Sequence, residues 1–260
     1  MVAGVLRDVE MAAAALAGEG HHMTAERRLL SPGDEVRVHV RLAPGIRVPL
    51  RTTVTAVSPG GIATTLVGGP LRRLDHVVSL ATDGTSTEVH DELRWSAPAG
   101  RVLDPLLLRA GMRRLLVARS RELTTRVAAL AGVPVVVATA IVRDGRVLAA
   151  QRTRPSTVAG RWELPGGRVE TGEAEESAVV RECREELAAH VRPAGRIGTD
   201  LPIDAGVLRV HLAELAGGSP EPRALEHAAL RWLGATELHA VHWIDADRAV
   251  LADLADLLRP

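Results

Sequence analysis

Phenylalanine and tyrosine are missing from all 260 residues, and four Trp make up the whole aromatic complement. The core is therefore expected to be built from Val, Leu, Ile and Ala, with few rings left for stacking on bases. Cysteine occurs once, as Cys183, which excludes an internal disulfide and any Cys-rich zinc site. The ten His show no ligand spacing, and His21–His22 reads as part of a solvated loop. No apolar run approaches the roughly 20 residues of a membrane helix. The first twenty residues are apolar enough to resemble a signal, but Arg7, Asp8 and Glu10 interrupt them, and a signal peptide needs an unbroken apolar stretch. A cytoplasmic location with no membrane partner is the expectation. Net charge is zero, 32 basic against 32 acidic residues, so no overall field draws the chain to nucleic acid, and none is expected as a partner.

What is present is the composition of a soluble globular protein, 46% hydrophobic and 25% charged, and enough chain for two ordinary domains. Two modules, 1–131 and 134–260, meet near Gly132–Pro134. The first opens with a helical stretch, Val2–Leu16. Glu35 to Leu42 then alternates, with Val36, Val38, Val40 and Leu42 on one face, as a half-buried antiparallel strand does. Further strands are expected at Ile46–Val57, Ile62–Val67, Leu71–Leu80 and Thr87–Trp95, separated by Pro59-Gly60-Gly61, Gly68-Gly69-Pro70 and Asp83-Gly84. A long helix follows, with Asp104 as N-cap and Pro105 at its first position. It carries Leu108, Met112, Leu116, Leu123, Val127 and Leu130 on one stripe and ends at Gly132 and Pro134. Its arginines (Arg109, Arg113, Arg114, Arg119, Arg121, Arg126) read as a solvated face, with a basic binding stripe as the alternative.

A strand meander closed by one long helix resembles the helix-grip fold of the START and polyketide-cyclase-like (SRPBCC) superfamily. That family usually begins with a strand, which is not seen here, so the helix-grip is expected to be incomplete. The resemblance implies an apolar ligand for this module.

The second module reads as β-branched strand Val135–Val142, turn Asp144-Gly145 and strand Val147–Ala150. A Gly-rich loop and helix come next, then strands at Val207–Leu215 and Ala229–Leu233 and a last helix from about Ala246 to Leu258. Interleaved strands and helices of this kind make an α/β sandwich, so the whole chain is expected to be α+β followed by α/β. The informative stretch is Gly166–Ala189. Thr171 or Gly172 precedes a helix whose first turn is acidic (Glu173, Glu175, Glu176), as the helix dipole prefers. Ala178, Val179, Cys183 and Leu187 give it a buried side. Glu182, Glu185 and Glu186 stand at i, i+3 and i+4 on another face. Like charges at that spacing cost only about 0.2–0.5 kcal/mol per pair, so a solvated acidic face partly neutralised by Arg181 and Arg184 is affordable. A hard-cation site is the other reading, because magnesium takes carboxylates, waters and substrate phosphates.

The surroundings add a long, rigidly spaced motif. Gly167, five residues, Glu173, seven residues, then Arg181-Glu182-Cys183-Arg184-Glu185-Glu186 resembles the Nudix box. Ala188 stands where that family has Gly, and Cys183 fills an aliphatic slot. An Ala at this helix end is expected to keep a right-handed backbone and lengthen the helix slightly. Cys183 is then a buried small hydrophobe. The resemblance implies a Nudix α/β/α sandwich in which Glu182, Glu185 and Glu186, helped by the Gly166 carbonyl, hold magnesium (or manganese), while Glu173 pairs with Arg181.

Outside the box the spacing around Trp162-Glu163-Leu164-Pro165-Gly166-Gly167 is similar to the MutT branch of nucleoside triphosphate pyrophosphohydrolases. Leu164 stands where an aromatic residue is usual. That branch implies Arg152 and Glu163 at the base, Arg168 after the glycines, and Glu226 as an additional carboxylate near the metal and attacking water. It also implies Asp247 as a base-reading residue. An ionised Asp only accepts hydrogen bonds, so it suits cytosine N4 and repels guanine O6 unless protonated; an N-cap for the last helix is its plainer role. The implied activity is magnesium-dependent cleavage of a nucleoside triphosphate to monophosphate and pyrophosphate, in sanitation of 8-oxo-dGTP or of CTP and modified dCTP. ADP-ribose or another nucleoside diphosphate derivative is the alternative substrate. A non-catalytic nucleotide sensor is the alternative function. Oligomeric state is left open.

Overall fold

The computed structural model describes residues 1–43, 45–83, 86–96 and 105–259, and only the backbone for 42–43 and 105–108. The expected N-cap Asp104, Gly84 of the expected turn and the side chains of Leu42 and Leu108 lie outside the described residues. The chain forms two compact units, Met1–Ala131 and Gly132–Pro260. Among the described residues no helix is long and apolar enough to cross a membrane.

The first unit opens with α1 (Val2–Leu6) and α2 (Val9–Gly18) instead of one continuous helix. The break falls at Arg7 and Asp8. Arg7 donates from Nε to the Leu30 carbonyl (2.8 Å), and Asp8 accepts the Glu10 amide as N-cap of α2 while pairing with Arg28 (3.2 Å). A cap satisfies an otherwise orphaned helical N–H, so two buried charged residues turn the chain here. Strands β1 (His22–Ala25), β2 (Glu35–Ala43), β3 (Ile46–Ser58), β4 (Gly61–Gly68), β5 (Arg73–Thr82) and β6 (Thr87–Ser96) follow as a six-stranded antiparallel meander. His22 opens β1 and lies opposite His39, and His21 Nδ1 accepts the Arg41 amide (2.9 Å). The pair is thus part of a sheet edge, not of a solvated loop. Long helix α3 (Pro105–Ala129) closes the unit. Val5, Met11, Val36, Val54, Ile62, Val78 and Leu123 make one core, with Val127 and Leu130 packed on it. Arg109, Arg113, Arg114 and Arg121 are exposed, whereas Arg119 pairs with Asp91 (2.7 Å).

In the second unit β7 (Val135–Arg143) and β8 (Arg146–Gln151) meet at Asp144–Gly145. Both turn residues have positive φ, 51° and 68°, the type I′ geometry that matches strand twist. Short strands β9 (Trp162–Glu163) and β10 (Gly166–Arg168) lead to α4 (Glu175–Leu187). Then come β11 (Val191–Ile203), β12 (Gly206–Leu215), β13 (Ala229–Gly234), a 3₁₀ turn Ala235–Ala240, α5 (Asp245–Arg248) and α6 (Leu251–Leu257). The sheet runs β11-β12-β7-β8-β13, with β10 on β7 and β9 on β8, and β12 is parallel to β7. Val137 and Ile141 of β7 pack with Val179, Cys183 and Leu187 of α4. Ala138 and Ala140, on the other side of the same strand, are buried as well, so β7 is covered on both faces, as strands of a parallel pair usually are.

Three expectations give way here. The helix starts at Glu175 with Ala174 as N-cap, because Glu173 is engaged elsewhere and Thr171–Gly172 form a turn. It ends at Leu187 with Ala188 in the left-handed region (φ 52°, ψ 26°), not in a lengthened right-handed turn. The last helix is two short ones, and the N-caps are Ile244 and Val250, not Asp247.

Candidate active site

The site is assembled where β10 lies against α4. Gly166 and Gly167 bring the backbone against β7, at Ala138 and Val137. A Cβ at Gly166 would stand 2.1 Å from the Val137 carbonyl oxygen, and one at Gly167 would stand 2.2 Å from the Glu182 carboxylate. The two glycines are therefore required by close approach, one to the sheet and one to a carboxylate of the helix.

Glu186 reaches back along the helix and accepts the Gly166 amide (3.0 Å). Burial pushes its carboxyl up to about 7, against the pull of His227 and of that amide. Burial also raises Glu182, although Arg181 bonds to it (2.8 Å). Arg181 is the organiser of this face. It grips Glu173 with two bonds of 2.9 Å, Nε to Oε1 and Nη2 to Oε2, and donates to the Arg168 carbonyl (2.9 Å). Glu173 also accepts the Glu170 amide (3.0 Å), and these bonds hold its carboxyl below the usual range. The loop between β10 and α4 is thus tied to the helix by one bidentate pair. Glu185 is exposed and faces Arg181 (3.3 Å). Among the described residues no three His, Cys or acidic side chains converge as a metal cluster. Glu182 and Glu186 meet the glycine loop, and Glu185 is one turn away on the same helix.

A second group lies beside the first. Glu163, mostly buried, pairs with Arg152 through Oε2 and with His227 Nε2 through Oε1 (3.1 Å). Arg152 and Glu163 are brought together because β8 and β9 run antiparallel, pairing Ala150 with Glu163. Burial alone would lower His227, but the Glu163 hydrogen bond and the Glu186 charge raise it. Leu164 is buried and donates its amide to Asp247 Oδ2 (2.7 Å). Asp247 is 2% exposed, and burial pushes its carboxyl up to about 8. Arg168 is exposed at the end of β10. Glu226 is also exposed; its carboxylate pairs with Arg154 (3.5 Å) and does not join Glu182 and Glu186. Cys183 is buried, and its thiol is pushed up to about 12 by that burial, the state of an inert packing group.

The NUDIX domain profile matches residues 133–254. A putative 8-oxo-dGTP diphosphatase 2 of Mycobacterium tuberculosis is 50% identical over 128 residues, which cover 48% of this chain and 89% of that protein. The chain belongs to the NUDIX family. The CTP pyrophosphohydrolase of Escherichia coli is 36% identical over 103 residues, covering 39% of this chain and 76% of that protein. The crystal structure of a MutT NUDIX hydrolase from Burkholderia pseudomallei is 36% identical, covers 46% of this chain and 96% of its own, and has a TM-score of 0.39.

Within this Nudix unit the residue that sequence reading passed over is His227. It follows Glu226 directly, but only the fold shows which of the two turns inward. The backbone of its loop explains why. Arg223 and Leu225 donate to the carbonyls of Leu187 and Glu186, and Ala228 donates to Gln151 (2.8, 2.9 and 2.8 Å). The loop is pinned between the end of α4 and β8, which sets His227 against Glu163.

Proposed function

We propose that the Nudix unit hydrolyses a nucleoside triphosphate to the monophosphate and pyrophosphate, using magnesium held by Glu182, Glu185 and Glu186. The observation that carries this reading is the packing of Glu182 and Glu186 against the Gly166–Gly167 loop, with Arg181 and Glu173 bracing it. The donor set fits a hard cation: carboxylates on one helix turn and a glycine carbonyl are oxygen ligands of the kind magnesium takes. Two of the carboxyls are raised by burial, because desolvation disfavours their charged form, and a bound cation would favour it. Turning Glu185 away from Arg181 completes the set. Bound there, magnesium supplies charge neutralisation at the phosphates and acidifies water.

The chain's own groups do the rest. In this reading Glu186, held by the Gly166 amide, takes a proton from attacking water, with Glu226 as the alternative base after leaving Arg154. Proton transfer of this kind contributes about 10²–10⁴-fold. Arg152 and Glu163 sit on the nucleoside side, and Arg168 is free to meet phosphate. The substrate we favour is a damaged guanine nucleotide of the 8-oxo-dGTP type. The 50% identical relative carries that name. With its carboxyl protonated up to about pH 8, Asp247 offers a donor as well as an acceptor at neutral pH. The conflict between an ionised carboxylate and guanine O6 is thereby removed. CTP is the second reading, supported by the 36% identical relative of that name. For the first unit, the six-stranded meander and closing helix support the helix-grip reading, with an apolar small molecule as ligand class.

Pyrophosphate release from 8-oxo-dGTP, dGTP, CTP, 5-methyl-dCTP and ADP-ribose, with magnesium and with chelator, tests the proposal. Turnover should vanish in chelator, and Glu186→Gln should lower kcat by about 10²-fold or more with KM nearly unchanged. Nucleotide binding without turnover on the whole panel would favour a sensor.

A further inference from the structure

We infer that His227 is a positioning residue for nucleotide recognition: it fixes Glu163, and through Glu163 the Arg152 guanidinium, in the orientation that meets the nucleoside. This rests on the triphosphatase reading above.

Four observations meet at this residue. Its side chain is 4% exposed, and its Nε2 is 3.1 Å from Glu163 Oε1. The other oxygen of the same carboxylate is taken by Arg152, so Glu163 is held from both sides and cannot rotate without losing one of its two partners. The loop carrying His227 is clamped by main-chain bonds to the end of the metal-binding helix and to β8, so the imidazole is located by the fold, not by its own rotamer choice. Finally, His227 Nδ1 is buried with no hydrogen-bond partner among the described residues. The two ring nitrogens diverge, so Nδ1 lies on the side away from Glu163, and buried polar atoms seldom go unpaired unless a ligand or water completes them. Arg152 is partly exposed, at 30% of its side chain, and is the member of the relay with a surface to offer. Without the imidazole, the Glu163 oxygen it bonds loses its partner, and the carboxylate is free to turn and drag the Arg152 Nη1 with it, which tilts the guanidinium about its other anchor, the Nε bond to the Arg154 carbonyl (3.1 Å). Ground-state recognition should suffer most, because Glu186 loses only the through-space pull of His227 and keeps its bond to the Gly166 amide.

Three substitutions separate the two ring nitrogens. His227→Gln places an amide N–H near the Nε2 position and leaves Nδ1 empty. His227→Asn does the reverse, and His227→Ala removes both. KM for the preferred nucleotide should rise about tenfold in the Ala and Asn variants, the loss expected for a charge-assisted hydrogen bond, with kcat within about threefold of wild type. Gln should restore KM. The Arg152 Nε–H cross-peak in a ¹⁵N–¹H spectrum, assigned by its loss in Arg152→Lys, should move in Ala and Asn and return in Gln. A Gln variant as impaired as Ala, a fall confined to kcat, or a cross-peak unmoved in Ala would each overturn the proposal. If wild type turns over no nucleotide, the triphosphatase reading has failed, and the cross-peak alone decides whether His227 orients Arg152.

Discussion

A left-handed backbone at Ala188 is held by two hydrogen bonds, from its own amide to Arg184 and from Ala189 to Cys183 (3.1 and 3.2 Å). For a residue with a Cβ this conformation costs about 1–2 kcal/mol, which glycine does not incur. Ala188→Gly should therefore stabilise the Nudix unit by about 1 kcal/mol, less what the freer unfolded chain takes back. The measurement is thermal denaturation, where a rise of a few degrees is expected and a fall would contradict the reading. Asp247 stores a cost of another kind. Its ordinary value is 3.8 and burial lifts it to about 8, so the folded state holds a proton that the unfolded state has already lost. Its contribution to stability is full below about pH 4 and is lost as pH rises through about 8. Asp247→Asn keeps an oxygen for the Leu164 amide and needs no proton. Its Tm relative to wild type should climb steadily between pH 4.5 and 8.5, and a difference independent of pH would show that Asp247 is ionised in the folded protein.

Two adjacent glycines show how β10 and α4 depend on each other in different ways. At Gly166 a Cβ would meet the Val137 main chain, which cannot yield, whereas at Gly167 it would meet the end of the Glu182 side chain, which can swing away. Gly166→Ala should thus lower Tm markedly. Gly167→Ala should leave Tm within a few degrees while weakening magnesium activation, because Glu182 is pushed from its place. Calorimetry beside a magnesium titration of turnover separates the two, and similar Tm losses in both would mean that Glu182 is as fixed as the backbone. These elements also mark the limits of reading the chain as a sequence. The box is legible because its carboxylates, glycines and brace lie within one local stretch of fixed spacing, and β2 because its alternation from Glu35 to Leu42 is unbroken. Strand β11 gives no such signal: Pro193, Gly195, Gly198 and Pro202 punctuate it, and its pairing with β12 carries two register shifts. The break between α1 and α2 depends on Leu30 and Arg28, about twenty residues on. His227 meets Glu163 across 64 residues and Asp247 meets Leu164 across 83, distances over which spacing carries no information.

On the scale of the whole molecule, each unit closes a core of its own. One is built from Val5, Met11, Val54 and Leu123, the other from Val137, Ile141, Val179 and Leu187. Every group assigned to chemistry or recognition, from Arg152 to Asp247, lies within Gly132–Pro260. A domain of about 130 residues is of ordinary size for independent folding. We therefore predict that a fragment of residues 132–260 folds cooperatively and hydrolyses the preferred nucleotide with kcat/KM within about threefold of the full chain. The comparison needs both proteins assayed at the same magnesium concentration, with unfolding followed by circular dichroism. A fragment that folds but loses most of its turnover would show that the first unit supplies part of the site. One that does not fold would show that the second core is incomplete without its neighbour. Retained turnover would leave the first unit free to act on substrate choice or on a ligand of its own. Repeating the nucleotide panel on fragment and full chain would then detect that influence as a change in rank order.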